Sequence, residues 1–168
     1  ARCLSSAILT SLPCLLLLSF SSVTIIPENR CYNKGMEESL FKAYDIRGRY
    51  PEELNETAAE SIACAVGRIF PRGPILIARD VRISSPVLSR AVRRGLQQSG
   101  RKVITAGVTT TPMFYFLVNH LKAAGGIMVT ASHNPKEYNG LKIVREMAMP
   151  VGGREVYGWV KGEGSYKK

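Results

Sequence analysis

The sequence predicts an α/β domain, a three-layer α/β/α arrangement around a mostly parallel, mixed sheet of about four strands. Three observations predict it. Short apolar runs alternate with longer segments of helical period, in units of about 25–30 residues. Glycine, proline or hydroxyl residues punctuate each boundary. Two of the helical segments open on a Ser-Pro or Thr-Pro pair, Ser85-Pro86 and Thr111-Pro112, where proline's missing N–H costs nothing. Strands that alternate with helices in this way pair in parallel, with helices covering both faces.

The elements follow in order. Asn55 to Phe70 reads as a helix. Thr57 and Glu60 have capping-box spacing, and Ala58, Ile62, Ala65 or Val66, and Ile69 make its apolar stripe before Pro71 and Gly73 stop it. Ile75 to Ala78 is a buried strand. Ser85 then caps a helix whose stripe is Leu88, Ala91, Val92 and Leu96, ended by Gly100. Val103 to Thr105 is the next strand. A helix from Thr111-Pro112 runs to about Leu121, and Gly125-Gly126 breaks it. Ile127 to Thr130 and Leu141 to Val144 are the last two strands. In such sheets ligands gather at the carboxyl ends of strands. Arg79-Asp80-Val81-Arg82, Gly107 to Thr111, and Thr130 to Pro135 fall there. Tyr44-Asp45-Ile46-Arg47-Gly48 is a further polar turn of unassigned position.

The chain of 168 residues is 45% apolar, enough for one packed domain. The domain is expected over residues 36–150, with 151–168 a loosening, truncated tail. The formal charge of +10 points to an anionic partner. No acidic residue lies between Asp80 and Glu137, while Arg82, Arg90, Arg93, Arg94, Arg101, Lys102, Lys122 and Lys136 do. The plain reading of Arg90, Arg93, Arg94 and Arg101 is one solvated helix face. Cys3, Cys14, Cys31 and Cys64 form no C-x-x-C pair and have no zinc spacing with histidine. Cys64 reads as a small core residue, and a disulfide framework is not expected.

Residues 1–35 differ in character, with Leu15 to Leu18 at the centre of an apolar, Ser-rich stretch. Three readings stand: a non-native extension from upstream translation, which Met36 followed by a well-patterned segment favours; a signal peptide; or a marginal membrane segment interrupted by Pro13. No membrane partner is expected of the domain, and a reducing, cytoplasmic setting fits it, with the signal peptide the alternative.

Thr130 to Lys142 carries the chemistry. A strand delivers Ser132 to the sheet rim, and Asn134-Pro135 turns the chain at once, so backbone N–H groups near the serine can hold a phosphate. His133, Lys136 and Lys142 add cationic or titratable groups. A serine nucleophile needs a base, an electrophile or a metal. Neighbours in an extended segment point apart, which argues against direct proton abstraction from Ser132 by His133; Lys142 can reach back. Plainer readings stand beside these. Ser132-His133 can be a polar turn, Asn139-Gly140 a turn dipeptide, and Arg79-Asp80 a surface ion pair worth little. The chain has no P-loop, no G-x-G-x-x-G, no G-x-S-x-G and no carboxylate cluster for a metal.

Thr130-Ala131-Ser132-His133-Asn134-Pro135, with Tyr138-Asn139-Gly140 and Lys142, resembles the phosphoserine loop of the α-D-phosphohexomutases. Phe41 to Gly48 resembles that family's amino-terminal motif. Ala78 to Ser85 resembles its strand–loop element, with Ala78 where glycine is usual, and Gly107 to Phe116 its Thr-Pro helix start. The resemblance covers roughly 36–144. It implies that Ser132 is carried as phosphoserine and gives its phosphoryl group to a hexose phosphate substrate. The hexose bisphosphate intermediate turns over and returns the other phosphate, so that phosphate moves between C1 and C6. It implies Lys142 as acid/base, His133 and Arg47 assisting, and Tyr44, Asn134, Arg79 and Arg82 binding substrate or phosphate. Mg2+ would be held through the phosphate on Ser132, with its carboxylate ligands in domains of the same polypeptide that this sequence lacks. The Thr-Ala-Ser form with Tyr138 resembles the phosphomannomutase/phosphoglucomutase branch more than the glucosamine branch. On these grounds the fragment alone is expected to be inactive. The alternatives are a stand-alone phosphate- or sugar-phosphate-binding domain and a nucleic-acid-binding domain. The latter lacks a recognisable motif and aromatics interleaved with the basic residues.

Overall fold

A computed structural model describes residues 36–166. Five strands form one sheet: β1 (Ile46–Arg49), β2 (Ile75–Arg79), β3 (Val103–Val108), β4 (Gly125–Val129) and β5 (Tyr138–Arg145), in the order β1-β5-β4-β2-β3. Strand β2 pairs in parallel with both β3 and β4, whereas β5 runs antiparallel to β4 and β1. The sheet is therefore mixed, with two parallel and two antiparallel pairings, and has five strands instead of four. The added strand is β1. Three of its four residues lie in the segment that reads as a polar turn, and it is held by pairing Ile46 with Leu141 and Gly48 with Asn139, residues far apart in sequence.

Alternation along each strand separates two cores. Ile75, Ile77, Ile127, Val129, Leu141 and Ile143 face helices α1 (Glu56–Ile69), α2 (Ser85–Gln98) and α4 (Gly153–Val160). Leu76, Ala78, Met128 and Val144 face α3 (Thr111–His120) through Phe114 and Val118. The first core is closed by the tight crossing of α1 and α2. A Cβ on Gly95 would meet the Glu60 carbonyl oxygen at 2.1 Å, so only glycine permits this approach.

The caps differ in detail from the sequence expectation. Asn55, not Thr57, caps α1, its Oδ1 accepting from the Ala58 N–H at 3.0 Å. Glu60 instead reaches α2, where it accepts from Arg94 at 2.8 Å and Gln98 at 2.5 Å. Thr110, one residue before the expected position, caps α3. Ser85 lies inside α2, and Ser84 occupies the cap position without a side-chain cap bond. Arg101 is not on a solvated helix face. Its guanidinium donates to the carbonyls of Gly67, Phe70 and Pro71, satisfying the carboxyl end of α1, and burial lowers its pKa.

Residues 153–160 form α4 where the sequence pattern loosens. Val156, Trp159 and Val160 are buried in the larger core, and Phe70 meets Trp159 edge-on at 5.9 Å. Cys64 is buried as expected, and it is also disulfide-bonded. Among the described residues no helix is long and apolar enough to cross a membrane. The readings of residues 1–35 lie outside the described residues.

Candidate active site

Strand β4 ends at Val129, β5 begins at Tyr138, and the segment between them carries Ser132. Ser132 adopts φ +55°, the left-handed region, at a cost of about 1–2 kcal/mol for a residue with a Cβ. Local bonds hold it there. Its N–H donates to Thr130 Oγ1 at 3.0 Å, and the Asn134 N–H and Nδ2 both donate to the Ala131 carbonyl, at 3.1 and 2.9 Å. The reversal at Ser132 removes the alternation that would separate neighbouring side chains. Ser132 Oγ and His133 Nδ1 lie 3.3 Å apart, both exposed. The expectation that His133 points away from Ser132 fails for this reason.

The loop leans on the segment that follows β2. Arg82 Nη1 donates to the carbonyls of Pro135 (2.7 Å) and Tyr138 (3.1 Å), and Nη2 to those of Ser132 (2.9 Å) and Asn134 (2.6 Å). Asp80 steadies Arg82: its Oδ2 lies 3.3 Å from Arg82 Nε, and its Oδ1 accepts from the Arg82 N–H at 3.0 Å and from the Ser85 hydroxyl. Arg79 Nη1 donates to the Asp80 carbonyl at 3.1 Å. Asn139 is fully buried. Its Nδ2 reaches Ser84 Oγ at 2.7 Å and Ser85 Oγ at 3.0 Å, while Oδ1 accepts from the Gly140 N–H at 2.8 Å. Asn139-Gly140 is thus the start of β5 and no turn. Arg79, Arg82 and Asn134, expected to bind phosphate, all donate to main-chain carbonyls in this arrangement.

A second cluster forms where β1 meets β5. Asp45, just ahead of β1, is 6% exposed. Arg47 donates to its Oδ2 from Nε at 2.8 Å and from Nη2 at 2.6 Å, and Lys142 Nζ lies 3.7 Å from the same oxygen. Lys142 pairs with Met128, a residue of the α3-side core, so it projects to that face of the sheet. Tyr115 of α3 comes close enough that burial, and then the charge of Asp45, raise its phenol pKa. Tyr44 is 78% exposed beside this cluster. The sequence reading did not single out Asp45. The available signal was two opposite charges at positions i and i+2 of an extended segment, which share a face.

A cleft of about 1010 Å³ opens at the carboxyl ends of β2, β3 and β4. Ser132, Asn134, Arg82 and Asp80 line it on one side, Thr109 to Thr111 on the other, and Val81, Ile83 and Val108 contribute apolar wall. Ile83 is 99% exposed, so this wall faces outward. The structure therefore brings Ser132, Asn134 and Arg82 together at the cleft, with His133 beside Ser132, and gathers Arg47 and Lys142 separately around Asp45. For Mg2+ the fit is incomplete. Among the described residues no group of three or more His, Cys, Asp or Glu is placed to hold a metal. Asp80, which lines the cleft, is engaged by Arg82 and Ser85. Magnesium usually takes one or two carboxylates together with phosphate, and these residues alone do not hold the ion.

Comparison with known proteins agrees with this geometry. The family profile described as phosphoglucomutase/phosphomannomutase, alpha/beta/alpha domain I, matches residues 38–157. A protein of Xanthomonas campestris pv. campestris (strain B100) named for phosphohexose mutases is 55% identical over 111 residues, 66% of this chain and 25% of its own length. A phosphomannomutase of Klebsiella pneumoniae is 50% identical over 115 residues, 68% of this chain and 73% of its own length. The crystal structure of a phosphoglucomutase/phosphomannomutase family protein from Burkholderia thailandensis superposes with a TM-score of 0.68 at 33% identity, over 79% of this chain and 33% of that one. The chain thus spans about a quarter of the length of the first of these relatives. With a mixed α/β sheet, a serine at the β4–β5 turn and a profile match across nearly all the described residues, the chain belongs to the phosphoglucomutase/phosphomannomutase family, of which it carries domain I.

Proposed function

We propose that this domain supplies the phosphoserine of a phosphohexomutase that moves phosphate between C1 and C6 of a hexose phosphate. The observation that carries the reading is Ser132 Oγ, held at a left-handed turn on the rim of the cleft, 3.3 Å from His133 Nδ1. In the proposed forward step a hydroxyl of a hexose monophosphate attacks phosphoserine 132. A new P–O bond to the sugar forms as the P–Oγ bond breaks. Lys142 takes the proton of the attacking hydroxyl, and His133 returns a proton to Ser132 Oγ. Arg47 offsets charge on the phosphoryl oxygens. The hexose bisphosphate then turns over, and the reverse step returns its other phosphate to Ser132. Such transfer depends mainly on positioning and charge neutralisation. The metal, bound through a phosphoserine oxygen and completed by ligands outside the described residues, would add electrostatic stabilisation of the same kind.

The incomplete metal site and the quarter-length match support a further expectation, that the 168-residue chain alone has negligible turnover. The nucleic-acid reading loses support because Arg82, Arg94 and Arg101 are engaged within the domain. The test is a chimera in which residues 36–157 replace the matching part of the Xanthomonas relative. Mutase turnover restored by the chimera, and reduced at least ~10³-fold by Ser132→Ala, is the expected result. A Ser132→Ala chimera as active as its parent would overturn the assignment, and binding of hexose phosphate without turnover would favour a phosphate-binding domain.

A further inference from the structure

The four carbonyl contacts of Arg82 go beyond any phosphate-binding role. An arginine fork normally meets a carboxylate or phosphate. Here both terminal nitrogens are directed to main-chain oxygens of a single loop, those of Ser132, Asn134, Pro135 and Tyr138. The third nitrogen, Nε, faces Asp80 Oδ2 at 3.3 Å. The Arg82 side chain is only 15% exposed. Each contact turns a carbonyl, the negative end of a peptide dipole, toward the guanidinium. A loop whose oxygens are tied back in this way presents less negative charge to an incoming phosphate. The bond to the Ser132 carbonyl also fixes the peptide that follows the left-handed residue, adding to the Thr130 and Asn134 bonds that hold φ near +55°.

We propose that Arg82 is the positioning residue of the Ser132 loop: it acts on the phosphoryl-bearing serine through four backbone carbonyls and not by touching the phosphate. Asp80 keeps the guanidinium in plane, and Ser85 and Asn139 connect it to the buried start of β5. The clamp rests on the proposed phosphoserine function only for its purpose; its existence is testable without phosphate or sugar.

The test is NMR on the 168-residue chain, comparing Arg82→Lys and Arg82→Gln with the parent. Lysine keeps the charge and loses the fork. The expected result is that both substitutions shift the carbonyl-carbon resonances of Ser132, Asn134, Pro135 and Tyr138. Both also raise amide exchange within 131–138 by about tenfold or more, with amides of β2 and β4 unchanged. In the parent chain, Nη1 and Nη2 of Arg82 give separate resonances because the four bonds stop rotation about Nε–Cζ. A Lys variant that leaves the carbonyl shifts and exchange rates as they were would reduce Arg82 to a point charge and overturn the proposal. So would a single averaged Nη signal in the parent, or faster exchange spread evenly over all strands. Failure of the mutase chimera, with the NMR results as expected, would count against the function and leave the clamp standing.

Discussion

Lys142 Nζ lies 3.7 Å from Oδ2 of Asp45, the same oxygen that accepts both guanidinium bonds of Arg47. One nearly buried carboxylate thus holds two cations that come from different strands. Asp45→Asn leaves those cations facing each other without a counter-charge. Because Arg47 and Lys142 remain about a quarter exposed, the loss is less than for a fully buried pair. Urea unfolding is expected to show the variant less stable by about 2–3 kcal/mol, and a loss within experimental error would mean that solvent compensates both.

Ser132 offers a separation of stability from chemistry. Its φ of +55° favours glycine. Ser132→Gly is expected to be more stable than Ser132→Ala by roughly 1–2 kcal/mol in thermal or urea unfolding, although both lose the hydroxyl. Equal stabilities would indicate that the loop relaxes out of the left-handed region once the hydroxyl is gone.

Gly140 is enclosed on both sides. A Cβ there would come within 2.4 Å of the Ile46 carbonyl oxygen and 2.8 Å of that of Thr130. Gly140→Ala must therefore push β1 away or displace the start of the Ser132 loop. A cost of about 1–3 kcal/mol is expected, together with chemical-shift changes in both the 46–49 and 130–134 segments. Shifts confined to one segment would identify which neighbour yields.

Alkaline pH should weaken the fold. The Tyr50 phenol donates to Glu56 Oε1 at 2.7 Å, and that bond, then burial, then the Glu56 charge raise its pKa above 10.0. Tyr115 is raised by burial and by Asp45. A raised folded-state pKa means that the native state holds the proton more tightly. The stability is therefore fully present below pH 10.0, the unfolded value, and is lost as pH rises from there through the folded values. Tyrosine ionisation followed by ultraviolet absorbance should show late-titrating phenols in the folded chain. Tyr50→Phe should remove one of them and flatten part of the stability loss; an unchanged titration curve would refute the Glu56 interaction.

The α/β alternation was legible because each core helix and strand carries its own period. Ile75-Leu76-Ile77-Ala78 alternates between two cores, and Leu88, Ala91, Val92 and Leu96 all reach one of them. Features that depend on pairing across the domain were not legible. Nothing near Ile46 in the sequence reveals that Leu141 lies beside it, so β1 read as a turn and Asp45 as an unremarked neighbour. Arg82 could be named a site residue from its motif, but only the fold shows that its donors meet carbonyls. For α4, the spacing of Val156, Trp159 and Val160 was a readable signal hidden by the glycines around it.

The pairing of Ile46 with Leu141 has a consequence for synthesis. At chain growth of about 5–20 residues per second, the 46–49 segment leaves the ribosome roughly 5–20 s before its partner. Until then it is an unpaired edge with Arg47 and Arg49 at its surface, two charges that discourage pairing with another chain. The Asp45 cluster cannot assemble until β5 arrives. Arg47 and Lys142 are therefore brought together late, after the parallel strands have somewhere to fold.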